Sequence, residues 1–133
     1  MKLEQQVCSL ELAKKLKELG VKQESLFYFV RISDTPDGRQ DWLIRNSKWG
    51  KGAKEEYSAF TVAELGKMLP EEIHNDDQRL LLRYSKYSVH YILNNSRFEM
   101  VLSQTDTHNE ADLRAKMLIY LIENKLQTIK KGK

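Results

Sequence analysis

Cysteine, proline and glycine are all scarce in this chain, with one, two and six copies among 133 residues. A single cysteine, Cys8, excludes an internal disulfide and is expected of a reduced, cytoplasmic protein. No low-complexity segment, internal repeat or domain linker is visible, so a single domain over 1–133 is expected, with short flexible ends at about 1–7 and 128–133. No apolar run approaches the ~18 residues of a membrane span, and no membrane partner is expected. The opening MKLEQQVC has no apolar h-region and reads as neither a secretory signal nor, with Glu4, Gln5 and Gln6 before Cys8, a lipoprotein cleavage site. A large excess of charge is missing too. The 22 basic and 19 acidic residues leave a formal charge of +3, too little to require a nucleic-acid partner.

What is present suits a folded domain. The 41% hydrophobic content supports a core, and the 31% charged content supplies a solvated exterior. Ser9 is placed to cap a helix through SLELAKKLKELG, on which Leu12, Ala13, Leu16 and Leu19 form one stripe and Gly20 stands at the left-handed cap. LFYFVRI (26–32) and DWLIRN (41–46) read as strands of a hairpin around the turn residues Pro36, Asp37 and Gly38. NSKWGKGAKEEY then reads as a loop.

FTVAELGKMLP (60–70) specifies a short helix. Thr61 and Glu64 have capping-box spacing, Phe60 and Leu65 hold the staple positions, and Pro70 forbids continuation. EEIHNDDQ is expected to be a turn or short bend, too polar for the core. Three strands follow, near 79–85, 88–93 and 97–104, with Asn94, Asn95 and Ser96 as a hairpin loop. A last helix begins at Thr107 with Glu110, or at Asn109, and lines Ala111, Ala115, Leu118 and Ile122 along one face, flanked by Met117 and Leu121. The expected fold class is α+β: an antiparallel sheet, hairpin plus three-stranded meander, packed with N-terminal, central short and C-terminal helices.

CSLELAKKLKELGVKQESLFYF (8–29), AFTVAELGKMLP (59–70) and EADLRAKMLIYLIENKL (110–126) together resemble a family of small proteins encoded by bacteriophages and prophages. The family pattern joins an N-terminal helix entering an aromatic strand, a TVAELG-x-MLP segment and a closing A-K-M-x-I-Y-L helix. The resemblance carries no catalytic residue to this chain and no cofactor. It implies a phage or mobile-element accessory protein in the host cytoplasm.

Candidate chemistry lies outside those segments. Lys48, Trp49, Lys51 and Lys54 surround Gly50 and Gly52, so backbone amides, ammonium groups and an indole could meet a phosphate and a ring. The spacing is not that of a Walker A loop, and the plain alternative is a solvated connection with Trp49 folded back. Arg83, Tyr84, Lys86, Tyr87, His90 and Tyr91 interleave cations and aromatics as a strand-binding sheet face would. Strand alternation sends about half of such a set inward. His74 with Asp76 and Asp77 lacks a second histidine or cysteine at ligand spacing, so no metal is expected. No pair of carboxylates or nucleophile–base set marks a catalytic centre. The expectation is a non-enzymatic protein that binds a host or phage protein. The second reading is a binder of nucleic acid or a nucleotide ligand, and an enzyme of unfamiliar type ranks last. A homodimer through an exposed sheet edge is also open.

Overall fold

Helix ends are fixed locally, and they organise this fold. In the computed structural model, which describes residues 3–34, 40–75, 78–84, 88–93, 100–105 and 109–125, Ser9 caps helix α1 (Leu10–Glu18) by accepting from the Leu12 amide. At its other end Gly20 takes φ +90°, and the Gly20 and Val21 amides bond to the Lys17 and Leu16 carbonyls. This is the Schellman closure that the glycine promised. Helix α2 (Val62–Met68) carries both halves of the capping box: Glu64 N donates to Thr61 Oγ1 at 3.2 Å, and Thr61 N to Glu64 Oε1 at 3.0 Å. Phe60 and Leu65, at the staple positions, are both fully buried, and Leu69 leaves the helical region ahead of Pro70. Helix α3 (Glu110–Glu123) starts at Asn109, whose side chain accepts from the Ala111 and Asp112 amides. Thr107 lies outside the described residues.

Two antiparallel sheets complete an α+β arrangement. The first has order β2-β1-β3, with β1 Tyr28–Asp34, β2 Gln40–Arg45 and β3 Glu55–Ser58. The second is a meander of β4 Glu72–Asn75, β5 Gln78–Tyr84, β6 Ser88–Leu93 and β7 Met100–Thr105. The expected hairpin and three-stranded meander stand as two separate sheets, and each gains one strand. EEYS, expected to close a loop, pairs with β1 through Glu56 opposite Val30 and Tyr57 opposite Phe29. EIHN, expected to be a turn, pairs with β5. Its lone apolar residue, Ile73, is 3% exposed and opposite the buried Leu80, while His74 is exposed. An edge strand needs only one inward anchor, and its charged residues discourage further pairing. The turn residues Pro36–Gly38 and Asn94–Ser96 lie outside the described residues.

Helix α3 is the hub. It contacts α1 and α2 as well as β6 and β7, and α1 in turn contacts β3. Apolar residues are therefore buried around most of its circumference. Leu113 and Ile119 are buried along with Ala111, Ala115, Met117, Leu118 and Leu121, whereas Ile122 is only partly buried. A helix packed on two sides is apolar nearly all round, which a single-stripe reading cannot find.

The N-terminal segment ties the helices together. Leu3–Gln5 form a 3-10 turn, and the fully buried Val7 bridges to Thr61. Cys8 N donates to Phe60 O, Asn109 Nδ2 to Val7 O and Ser9 N to Asp112 Oδ1, the last at 2.6 Å. Three helix N-termini thus meet around Val7–Ser9. Among the described residues, no helix is long and apolar enough to cross a membrane.

Candidate functional site

The loop between β2 and β3 turns back on its own sheet. Gly50 and Gly52 take φ of +74° and +98°, values that only glycine adopts without steric cost, and the Ala53 amide bonds to Gly50 O. The Lys54 amide then reaches Arg31 O at 2.7 Å, delivering the chain into β3. Strand register puts Tyr28, Val30, Leu43, Arg45 and Glu56 on the outer sheet face. The loop lies over this face. The Glu56 carboxylate accepts from the amides of both Trp49 and Gly50, the Arg45 guanidinium stands 4.6 Å from the Trp49 ring centroid, and Lys48 Nζ is 5.9 Å from that of Tyr28.

Consecutive backbone amides on a glycine turn are what would cradle a phosphate. Here Glu56 already supplies the anion from within. Trp49 is held by its backbone with one ring face against Arg45 and remains 39% exposed. Lys51 and Lys54 are exposed at the turn and at its exit. The four residues predicted from sequence therefore stay together, but the structure adds Arg45, Glu56 and Tyr28. Glu56 could not be found from composition, because β3 is not recognisable in the sequence as a partner of β1; Tyr28 and Arg45 lie on predicted strands, but composition does not show that the loop folds over them.

The opposite face of this sheet docks α1. Arg31 and Glu55 form an ion pair at 2.8 Å, and Tyr57 donates its hydroxyl to Glu55 at 3.1 Å. Arg31, followed by Tyr57, holds the Glu55 carboxyl below its usual range, while burial followed by the bond to Glu55 raises Tyr57. Trp42 and Tyr57 have ring centroids 6.0 Å apart, and Lys14 of α1 sits 5.3 and 5.8 Å from them. Cations on the faces of these rings fasten helix to sheet.

The second predicted set is divided by strand alternation. Arg83 and His90 are cross-strand partners, whereas Tyr91 is fully buried and donates its hydroxyl to Pro70 O at 2.7 Å. Burial raises the Tyr91 phenol well above the usual tyrosine value. Tyr91 is thus a core residue rather than a sheet-face contact. Tyr84 pairs with Val89 in the ladder, and Lys86 and Tyr87 lie outside the described residues. Arg83 borders an open cleft of about 590 Å³ together with Glu71, Glu72 and Arg79. Arg79 is paired with Glu72 at 2.8 Å, a contact that lowers the glutamate and raises the arginine. Two acids beside two bases give no single-signed field for a polyanion.

Cys8 is fully buried where the helix N-termini meet, and burial pushes its thiol up to about 12 despite a bond from the Phe60 backbone. Asp112 and Glu64 add to the rise. Such a thiol is not a nucleophile near neutral pH. His74 bonds to Glu72 at 3.0 Å; Asp76 and Asp77 lie outside the described residues. Among the described residues, no group of three or more His, Cys, Asp or Glu side chains could hold a metal. Comparison with protein-family models, with curated proteins and with solved structures gave no match to this chain.

Proposed function

We propose that this chain is a phage or mobile-element accessory protein that acts by binding a host or phage protein in the host cytoplasm, and that the Trp49 loop is its contact surface. The origin rests on the resemblance of the three capped-helix segments. The mode of action rests on one observation: Glu56 fills the amides that an anion would need, yet the same bonds hold Trp49 at the surface. A pre-ordered indole flanked by an arginine is typical of the residues that dominate protein–protein contacts. With the amides engaged, a phosphate would have to displace a carboxylate, so a nucleotide or nucleic acid ranks second.

Affinity capture from host lysate with the intact protein and with Trp49→Ala tests this reading. A protein retained by the first and lost with the second supports it. A salt-sensitive change in tryptophan fluorescence on adding oligonucleotide or nucleotide, absent in Trp49→Ala, would favour the second reading instead.

A further inference from the structure

Strand β2 is a terminal strand of the first sheet, and among the described residues no strand pairs on its other side. Free edges are ordinarily blocked by lysine, proline or a bulge; QDWLIR contains neither lysine nor proline, and the register shift in its pairing with β1 falls on the β1 side, between Arg31 and Asp34. Leu43, at its centre, is 46% exposed. Arg45 has its Nε buried, and among the described residues that atom has no hydrogen-bond acceptor and the guanidinium no ion pair beside its ring contact with Trp49.

We propose that two copies of this chain pair antiparallel through β2, about a two-fold axis at Leu43, to form one continuous six-stranded sheet. The sequence is self-complementary in that register alone. Centring on Leu43 sets Leu43 opposite Leu43 of the second copy, Trp42 opposite Ile44, and Asp41 opposite Arg45 twice over. Centring on Trp42 would set Asp41 against Leu43, and centring on Ile44 would set Leu43 against Arg45. The register works whether Leu43 is a hydrogen-bonded or a non-hydrogen-bonded position of the ladder, because a two-fold axis can pass through either.

The pairing relieves three features at once: a backbone edge and an arginine that lack partners among the described residues, and an exposed leucine. An axis normal to the sheet also keeps both outer faces on one side. The two Trp49 loops would then face the same way, and a partner able to reach both would gain in avidity. One short strand buries less than the roughly 1,200 Å² of a standard interface, so the dimer is reversible and concentration-dependent.

Sedimentation velocity over a concentration series tests the proposal. The wild type should move from 15.6 kDa towards twice that mass. Asp41→Arg and Arg45→Asp, each confirmed folded by circular dichroism, should remain monomers alone, because each sets like charges opposite one another. Mixed in equal amounts they should dimerise again, since every opposed pair is then of opposite sign. Leu43→Cys gives a second readout under mild oxidation. It should yield a disulfide-linked dimer, with Cys8 too buried to compete. A wild type that stays at 15.6 kDa throughout overturns the proposal, as does a dimer unaffected by either charge reversal or a Leu43→Cys protein that does not cross-link.

Discussion

Glu56 accepts the backbone amide of Trp49 from seven residues further along the chain, and so turns a glycine-rich connection into a fixed display of one indole. Removing that acceptor should loosen the loop more than the fold. Glu56→Ala should cost about 1 kcal/mol, as expected for an exposed bond to a charged acceptor. The Trp49 and Gly50 amides should exchange faster, and tryptophan emission should become more accessible to acrylamide. Unchanged exchange at both amides would show that the loop is held by other contacts.

The Thr61–Glu64 capping box does more than start α2. The second oxygen of Glu64 accepts from the Leu26 amide at 3.0 Å, joining the helix to the segment that enters β1. Thr61→Ala should lower stability by about 1 kcal/mol and Thr61→Ser by much less. Both should shift the urea midpoint at constant m-value, because the core is untouched.

Helix α3 gives a sharper contrast. Leu113→Ala should cost about 2–5 kcal/mol, the range for a large-to-small change at a buried site. Ile122→Ala, at a partly buried position, should cost less. Equal losses in thermal denaturation would contradict burial of α3 on two sides.

Acid should weaken the pairing of β1 with β3 on the sheet face that docks α1. The folded-state Glu55 carboxyl titrates below its unfolded value, chiefly through Arg31. Its contribution is therefore complete above the unfolded value of ~4.3 and is lost as pH falls through the lower folded one. The urea midpoint of the wild type should fall more steeply across that window than that of Glu55→Gln. Some slope should remain in the variant, because Glu72 is lowered in the same direction by Arg79. Parallel curves would remove Glu55 from the account.

Those residues also show what the sequence made legible. Helix ends depend on neighbours within a turn, so Ser9, Gly20 and the Thr61–Glu64 box could be read directly. Strands β3 and β4 depend on distant partners. Glu55 and Glu56 look like loop residues until Arg31 and the Trp49 amide engage them, and EIHN until Ile73 meets Leu80. Leu113 escaped for a related reason. It lies ~200° around the helix from Ala111, on a side that a solvent-facing helix would leave polar. At the candidate site, lysines and glycines identified the loop, but the carboxylate that fills it came from a strand the pattern did not reveal.

Contact between Trp49 and a partner protein can be trapped by replacing Trp49 with a photo-reactive phenylalanine analogue and irradiating the protein in host cells. A discrete protein adduct should form, and it should be absent when the analogue stands at exposed Lys22. Adducts equally abundant at both positions, nucleic-acid adducts alone, or no adduct at position 49 would contradict that contact.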